Sequence, residues 1–281
     1  MKIGINLLAW NGTITEDHVF ALELLKDMGY DGVEFPMFSF DYAMARKLKK
    51  HLDRLKMDST VCTITLPDAN PVSEDKKIRQ AGLNHIKKAI KTCDILGSKT
   101  LIGPLGAPCG TLVGRPRTED EWNWGVETMQ KAAADAQKVG VDIAFEPINR
   151  FETYFINTVG DAYEFAKQVN EKNFGILYDT FHANIEEKSM GKSLKDVIDK
   201  VFHVHISEND RGIPGSGHIR FGEIFKTLKA NKYNRWLTIE AFGDAVPEVA
   251  AATCIWREMF TNQEELCRKG LDFIQKQWKK A

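Results

Sequence analysis

The chain has 281 residues, 43% of them hydrophobic, which is enough for a large core and within the range that an α/β barrel fills as one domain. Lys and Arg number 38 against 39 Asp and Glu, so no strong field surrounds the molecule and the balance argues against broad nucleic-acid binding. Five cysteines without a CxxC pair fit reduced thiols and a cytoplasmic setting rather than a disulfide framework, and no apolar run approaches a membrane span.

The opening MKIGINLLAWNG reads as a first strand at residues 3–8, not as a leader or membrane segment. A helix at residues 16–28 follows, with Thr15 as N-cap and Gly29 as its end. The second strand spans residues 31–35, and residues 42–56 form an amphipathic helix. The third strand is at 59–64. Beyond Pro67 and Pro71 a long helix at 74–96 stops at Gly97, and residues 99–103 make the fourth strand. The Gly/Pro-rich stretch 104–116 is a loop of the kind that carries function or moves. Its helix covers 119–139. Four short apolar runs then recur, at 141–146 (VDIAFE), 174–179 (FGILYD), 201–206 (VFHVHI) and 235–240 (RWLTIE). Helices at 159–169, 193–199, 221–230 and 264–278 accompany them, with a helical insertion at 247–260 after the eighth strand. Strand alternating with helix predicts a parallel sheet, and eight units predict a single (β/α)8 TIM barrel domain over residues 1–281. No linker, low-complexity segment or sharp repeat interrupts it.

In such a barrel the carboxyl ends of the strands face the active-site mouth. Glu146, Asp179, His205 and Glu240 all stand at or near those ends. Singly, each acid is as readily a helix cap or a lysine partner. Together they predict an oxygen-rich metal centre with one imidazole, suited to Mn²⁺, Co²⁺ or Mg²⁺ in preference to Zn²⁺. Glu152 in EPINRFE, His182 in YDTFH and Arg211 in HISENDR lie in the loops beyond three of these strands, within reach of the rim. The bland alternatives are a satisfied structural histidine and an Arg211 paired with Glu208 or Asp210 on the surface. Trp10 is either an apolar wall for a ligand or a core residue. The glycine-rich stretch 212–222 is either a phosphate cradle or a loop shaped to present Arg211 and close over the site. In the insertion, Val249, Ile255, Trp256, Met259 and Phe260 either form a subunit interface or pack on their own barrel.

The segments EPINRFE, YDTFHANIEE, HVHISENDRGIPGSGH and TIEAF resemble the ketose 3-epimerases, typified by D-tagatose and D-allulose 3-epimerase, within the xylose isomerase-like TIM barrels. The resemblance runs nearly end to end and is specific from Val141 onward; before that it lies mainly in strand order. It implies a free sugar substrate, Mn²⁺ or Co²⁺ held by Glu146, Asp179, His205 and Glu240, and assembly as a homodimer or homotetramer. It further implies that Glu146 and Glu240 are the acid/base pair and that Glu152, His182 and Arg211 hold the O1 to O3 region. The loops LLAWNGT and GPLGAPCGTLVGRP depart from the family's aromatic-rich versions, which leaves the sugar's far end unassigned.

Inverting C3 of a ketose removes a proton beside the C2 carbonyl and returns one to the opposite face, through an enediolate that a dication stabilises. An aldose–ketose isomerase, resembling the hydroxypyruvate isomerases, would use the same site with one base shuttling a proton between C1 and C2. A keto-inositol dehydratase and a non-catalytic sugar-binding protein are further alternatives. A metal-dependent barrel nuclease needs more histidine ligands and a basic face than seven histidines and this charge balance offer.

Overall fold

A computed structural model describes residues 1–281. Its parallel strands close on themselves in chain order: β1 (Lys2–Asn6), β2 (Gly32–Pro36), β3 (Asp58–Cys62), β4 (Thr100–Gly103), β5 (Asp142–Phe145), β6 (Phe174–Asp179), β7 (Val201–Ile206) and β8 (Trp236–Ile239). The seam is β1 on β8, in register through Ile3 with Leu237 and Ile5 with Ile239. The α/β barrel fold class expected from the alternation is therefore the one formed.

Around the strands run α1 (Val19–Met28), α2 (Tyr42–Leu55), α3 (Lys76–Leu96), α4 (Glu119–Lys138), α5 (Val159–Val169), α6 (Thr180–Glu186), α7 (Met190–Val197), α8 (Phe221–Ala230), α9 (Pro247–Thr253) and α10 (Gln263–Lys280). One alternating set of strand residues, including Ile5, Val33, Phe35, Ile143, Phe145, Val204 and Leu237, belongs to a cluster of 66 buried residues shared with the helices. A fully buried aliphatic or aromatic side chain contributes roughly 1.5–3 kcal/mol, so this outer layer is the main stabilising mass of the molecule. Trp10 is part of it, which assigns that residue to the core and not to a ligand wall.

The other alternating set faces the barrel axis. At the amino end Trp236 fills the interior, and Gly4 and Gly32 make room for it: a Cβ on Gly32 would stand 2.7 Å from the indole and 2.1 Å from the Asp58 carbonyl oxygen. Further along the axis the buried residues turn polar, with Asn6, Glu34, Thr60 and His203. Register carries this polarity to the mouth, since Asn6 pairs with Glu34, Glu34 with Thr60, and Asp179 with His205.

Several boundaries differ from the sequence reading. The first strand stops at Asn6, whose side chain accepts from Leu8 N–H at 2.9 Å and starts a 3₁₀ turn at Leu7–Ala9. A 3₁₀ turn at Glu16–His18, capped by Thr15, precedes α1. The helix α6 is additional, and α7 begins before residue 193 and gives way to a 3₁₀ turn at Ile198–Lys200. The insertion is helical only over α9, because Cys254 adopts a left-handed φ of 58°. Val249 and Ile255 pack with Leu8 and Phe242, and Phe260 joins the main core, while Trp256 stays 75% exposed. Most of the insertion's apolar residues thus serve their own barrel. No helix is long and apolar enough to cross a membrane.

Candidate active site and metal centre

Asp179, the last residue of β6, divides its two oxygens. Oδ1 caps α6 by accepting from the N–H groups of Phe181 and His182, which leaves Oδ2 directed at the barrel axis. His205, next to last in β7, brings its Nδ1 to 3.4 Å from that oxygen, 3.5 Å from Glu240 Oε1 and 3.8 Å from Glu146 Oε1. One donor atom from each of the four residues lies within 4.8 Å of the others, and all four side chains are buried. The structure thus brings together the whole set singled out at the strand ends.

This cluster fits a dication. His205 Nδ1 is buried without a hydrogen-bond partner and faces three carboxylates. Three carboxylates stand against one guanidinium, that of Arg211, whose Nη1 lies 2.6 Å from Glu240 Oε2 and 3.1 Å from Asp179 Oδ2. With all three carboxylates ionised and the imidazole neutral, such a set is two positive charges short of neutrality. The imbalance shows in the titrating groups. Burial, with Glu240 and Asp179 close by, raises the Glu146 carboxyl well above its ordinary range. Burial also opposes the charge of Asp179, but Arg211 and His205 outweigh it and hold that carboxyl below its ordinary range. His205 is likewise pushed down by burial and, more strongly, up by Glu240 and Glu34. The donor chemistry, carboxylate oxygen with one imidazole, is that of a hard or borderline ion.

Glu152, His182 and Arg211 join Glu146 and Glu240 in lining a cavity of about 320 Å³ above the cluster, a volume typical of small-molecule sites. Its remaining walls are largely apolar, with Leu8, Phe38, Ile64, Ile148, Phe242 and Val249. His182 Nδ1 accepts the Asn149 backbone N–H at 3.1 Å, and its Nε2 lies 3.1 Å from Arg211 Nη2 and 3.8 Å from Glu146 Oε1. Burial, with Arg211 nearby, brings the imidazole down to about 4, which leaves it neutral. The Asn149 side chain also donates to Glu152 Oε1 at 2.7 Å. Asn149 therefore orients two of the cavity's polar groups.

Arg211 does not pair with Glu208 or Asp210. Its guanidinium lies between the rings of Phe181 and Phe242, 3.9 and 5.0 Å from their centroids, and Asp210 pairs with Arg257 instead. A left-handed φ of 64° at Arg211 is held by its N–H on Glu208 O and by Phe242 N–H on its own carbonyl. The glycine-rich stretch is a presenting loop, not a phosphate cradle. The buried Glu208 carboxylate accepts Gly215 N–H at 2.8 Å and Asn209 and Ile219 N–H at 3.1 Å, so amides that would grip a phosphate are already spent.

Glu34, Asn6, His203, Asn149 and the aromatic pair around Arg211 were not singled out in the sequence, and Glu208 was weighed only as a surface partner of Arg211. The one legible signal was Glu34 in GVEFP, an acid in the middle of an apolar run with no solvent to face.

The family model of the xylose isomerase-like TIM barrel matches residues 22–277. A ketose 3-epimerase of Arthrobacter globiformis is 30% identical, over 98% of this chain and 96% of its own. An L-ribulose 3-epimerase of Mesorhizobium japonicum is 28% identical, over 97% and 93% respectively. Among solved structures, D-allulose 3-epimerase from Methylomonas sp. in complex with D-allulose matches with a TM-score of 0.92 at 28% identity, covering 99% of this chain and 97% of that one. The likeness covers nearly the whole chain, and the chain belongs to the ketose 3-epimerase family of xylose isomerase-like TIM barrels.

Proposed function

We propose that this chain is a dication-dependent 3-epimerase of a free keto-sugar. The observation that supports it most is the convergence of three carboxylates on the unpartnered Nδ1 of His205 at the floor of a cavity of small-molecule size. The ketoses named for the relatives support the substrate class, and the self-filled anion nest at Glu208 supports an unphosphorylated one.

In this reading Glu146, Asp179, His205 and Glu240 hold the ion, Mn²⁺ or Co²⁺ ahead of Mg²⁺. When bound, it supplies Lewis-acid polarisation of the C2 carbonyl, which acidifies the C3–H bond. Glu146 and Glu240 follow β5 and β8, strands that are not neighbours in the ring, so their carboxylates approach a sugar from two sides. One takes the C3 proton and becomes neutral. The other returns a proton to the opposite face and becomes charged, and exchange with solvent or the reverse reaction restores the starting state. Positioned acid and base groups of this kind each contribute about 10²- to 10⁴-fold. His182 presents Nε2 to a sugar hydroxyl, Glu152 accepts a hydroxyl, and the guanidinium of Arg211, packed against Phe181 and Phe242, donates beside them.

A panel of keto-pentoses and keto-hexoses incubated with Mn²⁺-loaded protein in D₂O tests the reading by NMR. The expected product is the C3 epimer with deuterium at C3. Deuterium at C1 or C2 of an aldose would assign an isomerase instead, and loss of water a dehydratase.

A further inference from the structure

Directly beneath the ligand cluster lies a second, smaller polar group that the proposed chemistry does not use. Its centre is Glu34, in the middle of β2 and fully buried. Oε1 lies 2.8 Å from His205 Nε2 and accepts from Asn6 Nδ2 at 3.0 Å. Oε2 accepts from Thr60 Oγ1 at 2.8 Å and lies 3.1 Å from His203 Nε2. The side chain has no path to the cavity, because the His205 ring stands between the two groups, with Nε2 towards Glu34 and Nδ1 towards Asp179, Glu240 and Glu146.

The hydrogen bonds fix the polarity of this arrangement. Asn6 Oδ1 accepts Leu8 N–H, so the Asn6 amide presents its donor end, Nδ2, to Glu34 and also to Glu240 Oε1 at 3.3 Å. Glu34 is thus an acceptor towards its neighbours, and a carboxylate acceptor at Nε2 requires the proton of His205 to be there. A neutral imidazole with Nε2–H has its lone pair on Nδ1, the atom that faces the carboxylates. An anionic partner at the far nitrogen of a ligating imidazole also makes it a stronger donor. Asn6 links the same carboxylate to Glu240.

We propose that Glu34 is the positioning residue of the metal centre: it locks His205 as the Nε2–H tautomer with Nδ1 offered to the dication, and through Asn6 it sets the approach of Glu240. The inference rests on the dication reading of the four-residue cluster. Nothing else in the barrel offers His205 Nε2 a carboxylate.

The test is metal affinity, read without turnover. Protein stripped with chelator is titrated with Mn²⁺ while free Mn²⁺ is followed by electron paramagnetic resonance, for the parent, Glu34→Gln and Glu34→Asp, each checked for a parental circular-dichroism spectrum. An amide keeps the volume but loses the charge and one acceptor oxygen, and E34Q is expected to bind Mn²⁺ about 10- to 100-fold more weakly. E34D keeps the charge on a shorter arm and is expected to fall between E34Q and the parent; it is the deciding variant if E34Q does not fold. The d–d absorption of the Co²⁺ form is expected to change in E34Q, which a loss of fold stability alone would not produce. Affinity in E34Q, or in E34D if E34Q does not fold, within twofold of the parent, with an unchanged Co²⁺ spectrum, would overturn the inference and leave the dication reading standing. A parent that binds no Mn²⁺ would overturn both.

Discussion

Arg211 is the residue on which the metal-free site most depends. Its guanidinium is the one fixed cation on Asp179 and Glu240, and its ring sandwich leaves it little freedom to leave them. Removing one partner of a buried ion pair strands the other charges, at a cost of about 3–5 kcal/mol. Arg211→Ala is therefore expected to be less stable than the parent by that amount in chelator, and to recover more than the parent when Mn²⁺ is added. Urea unfolding with and without Mn²⁺ measures both; a variant as stable as the parent in chelator would contradict this role. Glu146, Asp179, His205 and Glu240 could be found in the sequence because each stands where an apolar run ends and a barrel rim must begin. Glu34, Asn6 and His203 could not be assigned in the same way. They lie inside their runs, and only the contacts of Glu34 with Asn6 and His203 in the closed barrel show that they share one interior group.

At the scale of elements, the loop after β4 is anchored on the first turn of α4. Glu121 in that turn accepts both Arg115 Nη1 and Nη2 at 2.9 Å, the Thr118 N–H at 2.6 Å and the Tyr154 hydroxyl at 2.8 Å. Burial opposes the charge, yet these donors bring the carboxyl down to about 2 from an ordinary value of 4.5. A folded-state value below the unfolded one means stability that is present above about pH 4.5 and lost as the pH falls towards 2. Glu121→Gln is accordingly expected to unfold more easily at pH 7, by about 1–3 kcal/mol for the charged hydrogen bonds lost, with the gap to the parent closing below pH 4.5. A gap that does not vary with pH in thermal unfolding would contradict the ionised pair. The helix itself was legible from its helical periodicity, and the capping box Thr118 to Glu121 fixes where it starts. The helix α6 was not, since it starts directly on the last strand residue and its cap is Asp179, a residue whose position reads first as a ligand. The early end of α9 was hidden for a related reason: a cysteine, not a glycine, takes the left-handed turn at residue 254.

For the molecule as a whole, the barrel order was carried by the alternation of short apolar runs and helical periods, and all eight strands appear close to where that pattern put them. The filling of the barrel was not legible, because which alternate residues face inward depends on closure. The amino end shows what closure demands. Gly32→Ala would drive a methyl group into the Asp58 carbonyl and the Trp236 ring, and a forced shift of backbone in a packed interior costs about 1–3 kcal/mol. A lowered Tm by differential scanning calorimetry, with the metal centre's affinity retained, is the expected result; an unchanged Tm would mean the interior is looser than the register implies. The same closure brings the ends of β5, β6, β7 and β8 together around one point, and the account stands or falls on what that point binds. The most direct measurement is ketose turnover in D₂O after exhaustive EDTA dialysis and again after Mn²⁺ is restored. No C3 exchange is expected in the dialysed protein and C3-deuterated epimer once Mn²⁺ is present; full turnover by the dialysed protein would rule out a dication-dependent epimerase.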